Sequence, residues 1–133
     1  MVCIYCGLRT AVVNSRHQKR QNQIWRRRKC LSCGAIFTSH ESANYNALLQ
    51  VKATNGQLQA FSRDKLFLSL YNSLQHRPEA LDEAAGLSDT VIGRIARSAE
   101  EPIINVTTIS HVVCVALLRF DRIAANHYQA FHG

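Results

Sequence analysis

The sequence predicts an α+β protein in two parts: a small β module over residues 1–42 and a mostly helical domain with one short β-hairpin over 48–133. Three observations carry this prediction. The first forty residues hold two Cys-x-x-Cys-Gly turns and too few apolar residues for a core. An Asn55-Gly56 pair lies between two short apolar runs. From Ser62 onward, apolar residues recur at spacings of three and four. The overall apolar content, 47%, is that of a globular chain, and no unbroken apolar stretch is long enough to span a membrane.

The cysteines explain how the first part can fold. Cys3-Ile4-Tyr5-Cys6-Gly7 and Cys30-Leu31-Ser32-Cys33-Gly34 are matching knuckles with 23 residues between them. Two thiolates three residues apart on a tight turn grip one ion, and the following glycine lets the backbone amides approach the sulfurs. Two such turns at the ends of hairpins complete a tetrahedral four-thiolate shell, the closed geometry of structural zinc. Metal binding worth on the order of 10 kcal/mol would fold a segment with so little core. Cys3, Cys6, Cys30 and Cys33 are therefore the expected Zn2+ ligands, with an iron–sulfur cluster as the remaining alternative. A redox pair would need one such motif beside a βαβ unit, which the pattern lacks. The start at Met1-Val2-Cys3, without a charged-then-apolar leader, predicts a cytoplasmic protein in which clustered cysteines bind metal. Cys114 falls on the apolar side of a helix and is read as core, and the six scattered histidines as surface or core.

The excess of positive charge is confined to the same segment. Residues 1–40 contain eight Lys or Arg and no acid, whereas 41–133 carry eight bases and nine acids, so the net +7 sits on the first third. A confined excess points to a polyanion-binding module. Trp25-Arg26-Arg27-Arg28-Lys29 runs directly into Cys30, so it lies on the strand entering the second knuckle, where alternate residues face opposite ways. Arg16 and its neighbours His17, Lys19 and Arg20 fall in the opposing half or its turn. Arginine offers bidentate contacts to phosphate and guanine, and Trp25 a ring for stacking. Arg16, Trp25, Arg26, Arg27, Arg28 and Lys29 are the candidate nucleic-acid contacts, and these residues alone leave DNA and RNA open.

In the second part, 41–48 reads as a polar junction, and residues 48–52 and 58–61 as the hairpin strands. Ser62 caps a helix to Arg77, with Asp64 in its first turn, Phe61 stapled to Leu66, and Leu66, Phe67, Leu70, Tyr71 and Leu74 on one face. Pro78 stops it. A helical stretch from Leu81 to Ala99 is expected to break near Gly86, with Ser88 capping its second half. One last helix is expected from Thr107 or Thr108 through Phe131, its apolar face read either as part of the core or as a subunit contact at Phe120, Tyr128 and Phe131. No P-loop, Gly-rich dinucleotide loop or His-Glu-x-x-His motif occurs. A closed four-thiolate shell leaves no open metal position, and no carboxylate cluster or Ser/His/Asp set presents itself, which argues against an enzyme.

Taken together, these residues resemble the NrdR-type repressors of bacterial ribonucleotide reductase genes. The likeness runs through the first knuckle, Val13-Asn14-Ser15-Arg16, Arg26-Arg27-Arg28-Lys29-Cys30-x-x-Cys33 and Phe37-Thr38-Ser39-His40-Glu41. Val51-Lys52, Gly56, Phe61-Ser62-Arg63-Asp64-Lys65-Leu66 and His76-Arg77-Pro78 are similar to the ATP-cone that follows the ribbon in that family. Ile109-Ser110-x-Val112-Val113 and Arg119-Phe120-Asp121-Arg122-Ile123-Ala124 resemble its C-terminal helices. The resemblance implies a repressor that binds double-stranded operator DNA through the ribbon and ATP or dATP in the cone, and that changes its homo-oligomeric state accordingly. It implies zinc on the four cysteines, DNA contacts from Arg16 and Arg26 to Arg28, and a nucleotide site lined by Val51, Lys52 and Lys65, the lysines on the phosphates.

The chain departs from the family pattern at several positions. Asn14 stands in place of Asp, Trp25 in place of the first of four arginines, Lys29 in place of an acidic or polar residue, and Ile36 and Ala53 in place of Arg. The hairpin is one residue longer, Gln57 to Ala60 lack the family's charged and proline residues, and Ala125 replaces an aromatic. A second reading follows, in which the cone binds no nucleotide and serves only oligomerisation or partner binding.

Overall fold

The computed structural model describes residues 1–132. The chain divides into two compact units, Met1–Ala43 and Asn44–Gly133.

In the first unit, β1 (Thr10–Gln18), β2 (Gln23–Cys30) and β3 (Ile36–Glu41) form an antiparallel sheet in the order β1-β2-β3. The β1–β2 hairpin closes through Lys19–Asn22, where the Asn22 amide donates to the Lys19 carbonyl and Asn22 takes a left-handed φ of 50°, a conformation asparagine tolerates better than most residues. A bulge at Val13 shifts the register between Val12, opposite Arg28, and Asn14, opposite Arg27. Among the described residues, Cys3 and Cys30 are the only buried ones in this unit. Its interior is thus the cysteine cluster and little else.

The second unit opens with a single helical turn, α1 (Tyr45–Leu48), inside the stretch expected to be an irregular junction; the Asn44 side chain caps it by accepting from the Ala47 amide. Strands β4 (Gln50–Lys52) and β5 (Leu58–Ala60) form the expected hairpin. Its loop is Thr54-Asn55-Gly56, with Gly56 at φ 86° and two backbone bonds at Ala53: the Gly56 amide donates to the Ala53 carbonyl and the Ala53 amide to the Gln57 carbonyl. A third strand, β6 (Ile103–Asn105), pairs parallel to β4, giving the order β5-β4-β6. Nothing local marks β6. It is three residues long, and its partner lies 53 residues earlier.

Helix α2 (Arg63–Leu74) starts as expected, Ser62 Oγ accepting from the Lys65 amide at 3.3 Å. It ends three residues before Arg77, because the residue preceding Pro78 is disfavoured in helical geometry. Helix α3 (Ala80–Ser98) is continuous through Gly86, which corrects the expected break. One exposed glycine costs a helix less than its buried face returns, and Ala84, Ser88, Val91, Ile92 and Ile95 are all buried. Ser88 caps nothing; its hydroxyl donates to the Ala84 carbonyl at 2.7 Å within the same helix.

The single last helix is also corrected: α4 (Val106–Phe120) and α5 (Arg122–His132) are separated at Asp121, whose backbone is extended. The Asp121 amide closes α4 on the Leu117 carbonyl, and its Oδ1 accepts from the Ala124 amide at 3.0 Å to start α5. The apolar periodicity runs straight across this joint, which hides it from the pattern. Leu70, Leu74, Val91, Ile95, Val113, Leu117, Ala124 and Tyr128 join the helices in one core, with Phe61 and Leu66 beside the sheet. Cys114 packs against this core as expected. Tyr128 is buried within it, which removes it from the expected subunit face, while Phe120 and Phe131 remain exposed. No described helix is long and apolar enough to cross a membrane.

Candidate functional site

The two knuckles fold identically. The Gly7 amide donates to the Cys3 carbonyl and the Gly34 amide to the Cys30 carbonyl, each glycine at φ 75°. That left-handed angle is the one a side chain resists, which accounts for the glycine ending both motifs. The outgoing chain is fixed by the Cys3 amide on the Leu8 carbonyl and the Cys30 amide on the Ala35 carbonyl. The turns place the four sulfurs within 4.8 Å of one another, with Cys3 and Cys33 Sγ 3.7 Å apart and Cys6 and Cys30 Sγ 3.5 Å apart.

These separations are far beyond the roughly 2.05 Å of a disulfide. They are close to the edge of about 3.8 Å that a tetrahedron with Zn–S bonds of about 2.3 Å requires. The Tyr5 amide donates to Cys3 Sγ, and the Ser32 and Cys33 amides to Cys30 Sγ, all at 3.4 Å. Such donors favour a thiolate: the Cys33 and Ser32 amides pull the Cys30 thiol down to about 6, and those of Cys6 and Tyr5 lower Cys3. Among the described residues this is the one cluster of three or more potential metal ligands. The donor set, four sulfurs with amide support, fits a structural zinc ion.

Strand β2 carries the basic stretch through the middle of the sheet, and the pleat divides it. Trp25, Arg27 and Lys29 are exposed on one face. Directly across from them on β1 are Arg16 and Asn14, opposite Trp25 and Arg27, and on β3 His40, Thr38 and Ile36. Residues opposed across antiparallel strands share a face, so Arg16, Trp25, Arg27 and Lys29 form one surface with no acid on it. Trp25 and His40 meet with ring centroids 5.1 Å apart.

Arg26 and Arg28 lie on the opposite face, partly buried beside Cys30. Arg26 pairs with Glu41 at 3.2 Å, and Arg28 Nε donates to Ser39 Oγ at 2.9 Å. The six candidate contacts are therefore not one surface. Four share a face, and two brace β2 against β3. Sequence reasoning passed over His40, although its position opposite Trp25 follows once the β2–β3 register is known.

The three residues expected at a nucleotide site are also divided. Val51 and Lys65 line a cavity of about 210 Å³ with Phe61, Ile109, Ser110 and Tyr128. Lys52, one residue along β4, lines a different one of about 190 Å³ with Thr54, Gly56 and the start of α4 at Val106 and Thr107. Val106 borders both.

Comparison with known proteins decides the family. The family description "Transcriptional repressor NrdR-like, N-terminal domain" matches residues 1–41. A transcriptional repressor NrdR of Methylacidiphilum infernorum is 34% identical over 99% of this chain and 81% of its own length. The chain belongs to the NrdR family. Two further NrdR repressors, of Streptococcus gordonii and of a Ruegeria species, are 33% and 34% identical and are covered over 85% and 88% of their lengths. The family is one of regulators rather than enzymes, and its zinc ribbon corresponds to the unit that carries the four-cysteine metal-binding cluster here.

Proposed function

We propose that this NrdR-family chain is a cytoplasmic, nucleotide-responsive repressor that binds double-stranded operator DNA through its ribbon and regulates ribonucleotide reductase genes. The observation that carries the reading is the acid-free surface of Arg16, Trp25, Arg27 and Lys29 on a ribbon of this family. Cys3, Cys6, Cys30 and Cys33 hold Zn2+, which fixes the hairpins and therefore the spacing of the cations. The exposed cations take phosphates, giving salt-sensitive affinity, while Arg26 and Arg28 hold the strand in register.

The second unit acts in this reading as an ATP-cone. Each of the two cavities beside Val106 is smaller than the roughly 300–1,000 Å³ usual for small-molecule sites. A nucleotide would span both, its apolar portion against Val51 and its phosphates between Lys65 and Lys52. Binding of ATP or dATP there would shift self-association, and with it the spacing of ribbons on paired half-sites. The test is fluorescence anisotropy on a reductase promoter fragment, with zinc-loaded protein alone, with ATP and with dATP. A nucleotide-dependent change in operator affinity and in oligomer mass is expected. Identical affinity and mass in all three conditions would overturn the sensor.

One observation favours a second reading. Lys52 lines a different cavity from Val51 and Lys65, and Ala53 follows it where the family has an arginine. The alternative is a DNA-binding adaptor whose cone only associates with itself or a partner. Calorimetric titration showing no heat with either nucleotide, beside intact DNA binding, would select it.

A further inference from the structure

The ribbon's exposed face has a feature that phosphate binding does not use. Trp25, the only tryptophan of the chain, stands 39% exposed at the centre of a transverse row, with Arg16 opposite it on β1 and His40 opposite it on β3. Arg27 follows two residues along the same face. Its Nε1 donates to Gln23 Oε1 on its own strand at 3.4 Å, and the His40 ring lies beside it with centroids 5.1 Å apart. An exposed indole among arginines on one sheet face is the chemistry that receives a base plane.

The position of the ring decides which kind of base it can receive. β2 is the central strand. Three strands at about 4.8 Å spacing already span about 10 Å of backbone before side chains are added. The B-DNA major groove, about 12 Å wide, takes a helix or a two-stranded ribbon. A three-stranded sheet fills most of that width, so a ring in the middle of its broad face is held back from the groove floor, where base edges lie. A base splayed off an unpaired strand can come down on it flat, with its flanking phosphates on Arg16 and Arg27.

We propose that the Arg16–Trp25–His40 row with Arg27 is a stacking site for an unpaired base of single-stranded nucleic acid. The site rests on the nucleic-acid reading of the ribbon: it shares the face of Arg16 and Arg27 with the proposed operator surface and adds to it the stacking of an unpaired base on Trp25.

The test uses the zinc-loaded full chain and the fluorescence of Trp25 itself. Titration with oligo-dT, with oligo-rU, and with a duplex of equal length reads stacking directly, and the two single strands report the sugar preference. Quenching by a single strand exceeding that by the duplex is expected. With labelled oligonucleotide, Trp25→Ala and Trp25→Leu should each weaken single-strand binding roughly tenfold, and Trp25→Phe should retain most of it. Zinc content of each variant establishes that the ribbon has folded. A Trp25→Leu variant that binds the single strand like the parent overturns the proposal, as does fluorescence unchanged at saturating oligonucleotide. Operator-duplex affinity measured on the same variants keeps the two readings apart: Arg27→Ala should weaken duplex and single strand alike, whereas Trp25→Leu should weaken the single strand and leave the duplex nearly unchanged, and equal losses in Trp25→Leu would assign the ring to duplex binding and overturn the proposal.

Discussion

Asp121 Oδ2 accepts hydrogen bonds from both His76 Nε2 and Arg77 Nη1, each at 2.9 Å. The other carboxylate oxygen starts α5 through the Ala124 amide. A single aspartate thus joins the end of α2 to the α4–α5 corner, and Arg77 is held in place from its other side by Glu83 and lies 4.7 Å from the centroid of the Phe120 ring. This corner turns one apolar pattern into two helices. The Ala124 amide, with His76 and Arg77, holds the Asp121 carboxyl well below its ordinary value of 3.8.

Acid should therefore loosen this corner. Because the folded-state pKa is depressed, the contribution of Asp121 is fully present above pH 3.8 and is lost as the pH falls from there towards the folded value. Asp121→Ala should lower Tm by on the order of 5 °C at neutral pH through loss of the cap and its partners. It should also show a shallower loss of Tm below pH 4 than the parent. Thermal melts at several pH values check both. Parallel curves would remove Asp121 from the acid response.

Metal removal should act on one unit. With Cys3 and Cys30 as the buried residues of the ribbon, a chelator strong enough to strip zinc should unfold residues 1–43 and leave the helical signal nearly intact. Circular dichroism at a helical wavelength, recorded with the loss of ribbon amide resonances, reads the two units separately. Cys30→Ser should reproduce the chelated spectrum.

The division of the basic stretch gives unequal salt effects. Arg27→Ala should reduce the log–log salt slope of DNA binding by about 1, whereas Arg26→Ala and Arg28→Ala should change it less, because those side chains are engaged with Glu41 and Ser39. Equal reductions in all three would place the faces wrongly.

Gly86 offers a stabilising substitution. It lies exposed inside a continuous α3, and a Cβ built there meets nothing within 4 Å. Gly86→Ala should add about 0.5–1 kcal/mol, read as a higher Tm with unchanged zinc content.

The nucleotide reading is tested by charge removal. Lys65→Ala should weaken dATP binding roughly tenfold or more if that ammonium meets a phosphate. Calorimetry on Lys65→Ala and Lys52→Ala would show whether both cavities contribute. No effect of either variant favours the adaptor.

The sequence by itself determined the elements whose causes are local. Ser62 capping α2, the Asn55-Gly56 loop, and the two Cys-x-x-Cys-Gly turns each depend on residues within a few positions, and each stands where the residue types required it. Confinement of the positive charge to the ribbon was equally a property of the chain. What needed the tertiary structure was set by partners distant in sequence. β6 exists because β4 offers an edge, and α3 passes through Gly86 because its buried face outweighs one glycine. α4 and α5 part because His76 and Arg77, in the turn after α2, meet Asp121. The basic run became one surface and one brace only when the β1–β2–β3 register paired Trp25 with Arg16 and His40. Period-two geometry says that neighbours part; only pairing says what each meets.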